Sequence, residues 1–215
     1  MNKADLVKVV GWRLGDRDDM ASRIDTELDY IQDYVLESRA WYPWFLQSEL
    51  AEATTAANEV RVTLPDDFLA EVEESHLFIL DPVGAAAVPL IKKDPDVAQA
   101  LTFGMQSATG FPRFYAISGL NFRFYPTPDA AYTIQMQYYA KDERISDETA
   151  SPKWLRFAAD VVLAELLALL AGKHIKDAEG AAGFAADAQA AWLRLYQKHT
   201  AMMELNQPRS LGGNS

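Results

Sequence analysis

The 215-residue chain has no cysteine, which removes disulfides, zinc ribbons, thiol nucleophiles and iron–sulfur clusters together. Histidine is scarce. His76, His174 and His199 lie far apart, and none forms an HExxH or HxxxH pair. No GxGxxG, Walker lysine or GxSxG elbow occurs, so phosphate-loop and serine-hydrolase chemistry have no foothold. Positive charge is also in short supply. The net charge of −11 opposes nucleic acid and anionic membranes. The longest apolar run, Ala158 to Ala171, carries Asp160 and Glu165, and it is shorter than the ~20 residues that span a bilayer. Met1 to Asp5 lacks the apolar core of a signal peptide. A soluble chain made in the cytoplasm, without metal or cofactor, is expected.

Half-matches to functional motifs have simpler readings. Asp16, Asp18 and Glu27 stand at calcium-loop positions, but Met20 and Ala21 occupy positions that need an oxygen ligand and glycine. Helix capping explains Asp16 to Asp19 better. Asp66, Asp67, Glu71, Glu73 and Glu74 could in principle supply an acid–base pair in an acidic cleft, yet they read as a solvated face. Arg113 and Arg123 are the only basic residues set among aromatics, too few to offset the overall charge. No catalytic set emerges.

What is present is pattern. Leu6, Val9, Val10 and Leu14 have helical spacing, closed by Gly15. From Met20 to Ala40, Ile24, Leu28, Ile31 and Val35 form one apolar stripe. Trp41, Trp44 and Phe45 cluster around Pro43. Gln47 to Thr54, Glu59 to Leu64 and His76 to Leu80 read as strands, and residues 81 to 110 as a long irregular loop containing a short helical stretch. Phe114 to Ile117, Asn121 to Tyr125 and Tyr132 to Tyr139 predict three consecutive antiparallel strands joined by tight turns. Tyr125, Gln135, Gln137 and Tyr139 are assigned to the solvent side of that sheet. Lys141 to Ala150 is a charged linker. Ser151-Pro152 predicts a cap for a buried helix over Trp154 to Ala171, ended by Gly172. Asp177 to Leu205 carries a second stripe that includes Trp192 and Leu195. Residues 206 to 215 cannot bury a core, and mobility is expected there.

These pieces predict an α+β fold. Helix pairs in 1–46 and 142–205 form a four-helix bundle-like frame, with Ile24, Leu28, Ile31, Trp154, Trp192 and Leu195 in its core. An antiparallel β domain, 47–141, is inserted between the halves.

Several segments, taken in order, resemble the head-to-tail adaptor (connector) proteins of tailed bacteriophages. They are Leu14 to Arg17 with Arg23-Ile24-Asp25 and Tyr30, Trp41 to Leu46, Leu64 to Phe68, Phe111 to Ile117, Phe124 to Tyr132, and Tyr138-Tyr139. Residues 81 to 110 match nothing in that pattern. The resemblance implies a structural virion protein at the head–tail interface, with no enzyme activity and no cofactor. Its implied partners are the portal protein, copies of itself in a twelvefold ring, and a downstream tail protein. Packaged DNA would pass through the lumen without specific binding. The resemblance further implies portal docking through the C-terminal segment: Asn206, Gln207, Pro208, Arg209, Ser210 and Leu211. It also implies subunit or tail contact through the inserted β region, for which Tyr125, Gln135, Gln137 and Tyr139 are the candidates. Another tail component, such as a completion or terminator protein, is the nearest alternative. A ligand-binding module or enzyme with an acidic cleft is more distant.

Overall fold

Asn2 starts the first helix with a reciprocal cap. Its Oδ1 accepts from the Asp5 amide at 2.8 Å, and Asp5 Oδ2 accepts from the Asn2 amide at 3.4 Å. In this computed structural model, residues 1–15, 17, 20–48, 51–72, 77–80, 87–103 and 109–206 are described. The chain divides into two compact units, Met1–Leu46 with Lys141–Ser215, and Gln47–Ala140.

In the first unit, α1 (Lys3–Arg13) buries Leu6 and Val10 and is followed by Gly15 at φ 78°, a conformation that glycine adopts without steric cost. The helix α2 (Ala21–Ile31) buries Ile24, Leu28 and Ile31. Its cap position is Met20, which makes no side-chain cap; Asp16, Asp18 and Asp19, expected to cap it, lie outside the described residues. A π-helical turn, Gln32–Leu36, then ends the helix before the expected boundary at Ala40. That turn buries the Gln32 amide, which reaches the segment returning from the second unit. Gln32 Nε2 donates to Glu37 Oε1 at 2.9 Å and to the Asp142 carbonyl at 3.2 Å, while Gln32 Oε1 accepts from the Ile145 amide at 3.0 Å.

The long apolar helix expected over Trp154 to Ala171 is two helices, α4 (Lys153–Phe157) and α5 (Ala159–Leu170). Ala158 leaves helical geometry between them at φ −141°, and its carbonyl accepts from Val161 and Val162 to restart the helix. Ser151 is not the cap. Its amide donates to Glu143 Oε2, and the amide of Trp154 is satisfied by Asp142 Oδ2 at 2.9 Å. Gly172 does not end the helix either. A π-helical turn, Ala171–Ile175, runs through it and stops at Lys176, which sits at φ 59°. The 29-residue α6 (Ala178–Asn206) follows. The helix α5 is the hub, packing against α1, α2, α4 and α6.

Glu27 joins α2 to the turn after α5. Its side chain is 3 % exposed, and Oε1 accepts from Lys173 Nζ and His174 Nε2, both at 2.7 Å. Arg23 Nη1 lies 2.6 Å from His174 Nδ1. Arginine can only donate, so Nδ1 accepts and Nε2 carries the proton given to Glu27.

Among the described residues, the second unit holds four small sheets rather than one. Its strands are β1 (Ala51–Thr54), β2 (Arg61–Thr63), β3 (Phe68–Glu71), β4 (Phe78–Leu80), β5 (Ala87–Pro89) and β6 (Ile91–Lys92). After α3 (Pro95–Phe103) come β7 (Thr109–Gly110), β8 (Phe114–Ser118), β9 (Asn121–Tyr125), β10 (Thr127–Pro128), β11 (Thr133–Met136) and β12 (Tyr138–Ala140). The strand orders are β1-β11-β4-β5, β2-β9-β8-β6, β12-β3 and β10-β7. Most pairs are antiparallel, but β6 with β8 and β10 with β7 are parallel. The strands β8 and β9 form the expected hairpin, turning at Gly119 with φ 60°. The third expected strand does not continue it. Pro126 and Pro128 cannot donate to a ladder, and β11 instead enters the other four-stranded sheet between β1 and β4.

Tyr132, Ile134 and Met136 are buried, while Thr133 and Gln135 are partly exposed. The alternation continues through exposed Gln137 and buried Tyr138 and fails at Tyr139, where β12 pairs with β3 in a separate sheet, with a register shift between Tyr139 and Ala140. Tyr139, expected on the solvent side, is therefore buried, and Tyr125, also expected there, is buried from β9 against Ala98 and Ala116. Residues from both four-stranded sheets share one apolar cluster, including Leu77, Ile79, Phe122, Phe124 and Ile134. Residues 81 to 110 are not one irregular loop: they contain β5, β6, α3 and β7.

The Glu27 cluster generates a testable outcome. Burial raises the Glu27 pKa, but hydrogen bonds from Lys173 and His174, with the charge on Lys173, outweigh it, leaving the pKa below the ordinary 4.5. A depressed carboxylate contributes stability that is present above its unfolded pKa and lost as pH falls through the folded one. Glu27→Gln is expected to cost about 2 kcal/mol at neutral pH. In urea denaturation, the gap to the parent protein should close as pH falls below 4.5. A gap constant with pH would contradict this role.

Candidate functional site

The apolar stripe of α6 turns Ala188, Ala191, Trp192 and Leu195 inward, all buried. Two alanines on the groove side, Ala185 and Ala188, are too small to fill the space beside them. An open groove of about 560 Å³ results, whose other walls include Arg39, Trp41, Glu165 and Tyr196. All its residues belong to the helical unit.

One wall is a polar knot within an aromatic frame. Glu165 Oε1 accepts from Trp192 Nε1 at 2.7 Å and pairs with Arg39 Nη2 at 3.4 Å. The Arg39 guanidinium lies 3.8 Å from the Trp192 ring centroid, a stacked arrangement that guanidinium favours over ammonium. Trp41 meets Trp192 edge-on at 5.9 Å and Tyr196 at 5.2 Å, and stacks on His199 at 5.3 Å. Trp192 is also anchored beneath by Trp154 at 5.9 Å. The outer rim is solvent-facing: Leu193 is 59 % exposed and Tyr196 is 49 % exposed.

A nucleophile with an adjacent base is missing from this groove, and its single carboxylate is already engaged twice. Its chemistry is that of a contact surface. Rigid aromatics and a stacked arginine beside exposed apolar groups are the composition of interface hot spots.

The residues singled out from sequence fall in different places. Ile24, Leu28, Ile31, Trp154, Trp192 and Leu195 are buried in the helical unit, and of these only Trp192 reaches the groove. Tyr125 and Tyr139 are buried in the β unit. Gln135 donates to Glu52 Oε1 at 2.6 Å, and Gln137 is exposed between β11 and β12. Asn206 is the last residue of α6, while 207–211 lie outside the described residues. The acidic-cleft acids serve the fold. Asp67 accepts from Tyr138 Oη at 2.7 Å, and Glu71 accepts from Tyr115 Oη at 2.7 Å and pairs with Lys92. Burial, with the Asp67 hydrogen bond and charge adding to it, pushes the Tyr138 hydroxyl up to about 12. Glu73 and Glu74 lie outside the described residues. Among the described residues, no group of three or more His, Asp or Glu could hold a metal ion, and no helix is long and apolar enough to cross a membrane.

Sequence reasoning misses Arg39, Glu165, Leu193 and Tyr196 as site residues. Arg39 and Glu165 meet across 126 residues, with no local signal. Leu193 and Tyr196 do leave one, since they are large apolar residues on the solvent side of α6, off the buried stripe.

A family model described as SU10 adaptor protein matches residues 1–214. No curated protein matches the chain.

The groove separates residues that hold the fold from residues free to bind. Trp192→Ala is expected to cost about 3–5 kcal/mol through cavity formation and loss of the Glu165 hydrogen bond. Leu193→Ser should stay within about 0.5 kcal/mol of the parent. Chemical denaturation checks both, and equal losses would mean that the rim is structural.

Proposed function

Because the chain belongs to the SU10 adaptor family, a family of phage head–tail adaptors, we propose that it forms a ring beneath the portal that extends the DNA channel and links capsid to tail. The observation that carries this reading is the family match over residues 1–214.

Copies of the chain meet through the helical unit, at the α6 groove. The segment from Asn206 to Leu211 docks on the portal. Its composition (Asn, Gln, Pro, Arg, Ser) is poor in core-forming residues, so contacts with a partner must offset the entropy of ordering it. The β unit, with Gln135 and Gln137 on its accessible side, faces a subunit or the next tail protein. Tyr125 and Tyr139 are buried in the free chain and could contribute only after local rearrangement. An acidic chain suits a channel through which DNA slides, since carboxylates and phosphates repel. Carboxylates therefore line the lumen. The assembled protein resides in the virion.

Electron microscopy of the full chain mixed with its portal tests this reading. The expected result is a closed ring on the portal with an acidic lumen; a basic lumen, or no ring, would overturn it. Deleting residues 206–215 should leave the melting temperature unchanged and abolish co-purification with the portal. Retained binding would place docking elsewhere.

A further inference from the structure

His174 stands where one added proton changes which partners it can keep. The ring belongs to the π-helical turn Ala171–Ile175, its side chain is 13 % exposed, and it meets two residues of α2 that lie one turn apart. Nδ1 faces Arg23 Nη1 at 2.6 Å, and Nε2 faces Glu27 Oε1 at 2.7 Å. Both ring nitrogens are therefore in use, one by a group that can only donate and the other by a carboxylate that can only accept. Only the neutral ring, protonated at Nε2, satisfies both.

A second proton has one place to go, Nδ1. There it sets donor against donor and cation against cation, so the Arg23 contact is lost. The Nε2 contact gains instead, because a hydrogen bond from a charged imidazolium to a carboxylate is stronger than one from the neutral ring. Glu27 remains ionised meanwhile, since its pKa lies below 4.5 and histidine changes charge between about pH 5 and 8. The other charged groups nearby are occupied or turned away. Lys173, on the same turn, shares Glu27 Oε1 at 2.7 Å, and Lys176 is exposed. On α5, Glu165 holds Arg39 and Trp192, and Asp160 holds Arg194. The helix α6 approaches the turn with Ala181 near Gly172; Asp177 accepts from the Gly180 amide, and Glu179 is exposed. Among the described residues, Arg23 and Glu27 are the charged partners of the ring.

We propose that His174 is a proton-operated latch on Arg23. The neutral ring holds the guanidinium against the turn after α5. A proton arriving from solvent at Nδ1 releases it, while the Nε2–Glu27 bond keeps α2 joined to that turn. The junction stays closed and the surface changes: the ring gains one charge, and the exposed Arg23 side chain is freed for another acceptor. This device operates within one chain and does not depend on the ring reading.

Nitrogen NMR of the full-length protein, labelled at histidine and arginine and titrated from about pH 8 to pH 5, tests the latch. Arg23→Ala and His174→Gln identify the two sets of signals. At the upper end, His174 should show a bare Nδ1 and a protonated Nε2, with separate, slowly rotating Nη signals from Arg23. As Nδ1 takes up its proton, those Nη signals should collapse into the averaged signal of a free guanidinium, with the same midpoint as the ring, while the Nε2 proton stays hydrogen-bonded. In His174→Gln the Arg23 signals should not change with pH. The opposite tautomer at the upper end, an Arg23 response with a different midpoint, or an Arg23 response that survives in His174→Gln would each overturn the latch. Should His174→Gln fail to fold, the tautomer and the shared midpoint in the parent protein still decide it.

Discussion

The helical unit depends on one buried amide. It is assembled from two stretches of chain separated by the whole β unit, and Gln32 ties them together. Its side chain is 1 % exposed and uses both ends, donating toward Glu37 and the Asp142 carbonyl and accepting from the Ile145 amide. Asp142 then turns its own carboxylate to the amide of Trp154, which starts α4. Leaving such a buried group unpaired costs about 1–3 kcal/mol, so the π-helical turn that aims Gln32 inward is part of the closure. Burial raises the pKa of both Glu37 and Asp142, in spite of the hydrogen bonds each accepts. Both carboxyls sit there to accept backbone and amide protons, a structural use of acidic residues that differs from solvated charge.

Closure at Gln32 also sets the groove. The chain bends after Leu36, and Arg39 and Trp41 are carried to α6, where they meet Trp192 and Tyr196. Trp192 has two duties on two sides: it packs on Trp154 within the core and gives its indole proton to Glu165 at the groove wall. Leu193 and Tyr196, one and four residues further along the same helix, have no such burial. A single helix thereby presents a buried core stripe and an exposed apolar rim.

Much of the helical architecture is legible in the sequence. Ile24, Leu28 and Ile31 repeat with helical spacing, and so do Ala188, Trp192 and Leu195; that spacing puts each set on one face, where apolar groups bury together. The hairpin from Phe114 to Tyr125 is legible for a similar reason, since Ser118-Gly119 marks a turn and both flanks favour strands. Between residues 81 and 110 the same tools fail. Strands such as Ile91–Lys92 and Thr109–Gly110 are too short to show a period, and their pairing partners lie elsewhere in the chain. Of the groove, Trp41 and Trp192 stand out as aromatics and Leu193 and Tyr196 as apolar residues off the buried stripe, while Arg39 and Glu165 leave no local trace.

The sequence by itself determined the acidic character of the chain, its lack of cysteine chemistry, its helical flanks around a β-rich centre and the faces those helices bury, because composition and periodicity are local properties. Only the tertiary structure decided where β11 pairs, that Tyr125 and Tyr139 are buried, that the helices after Pro152 break at Ala158 and run past Gly172, and that Arg39 and Glu165 share a wall. Each of these turns on a partner distant in sequence. Strand pairing, burial and ion pairing are settled by which surfaces meet when the chain closes, and no window along the sequence contains both sides of such a contact.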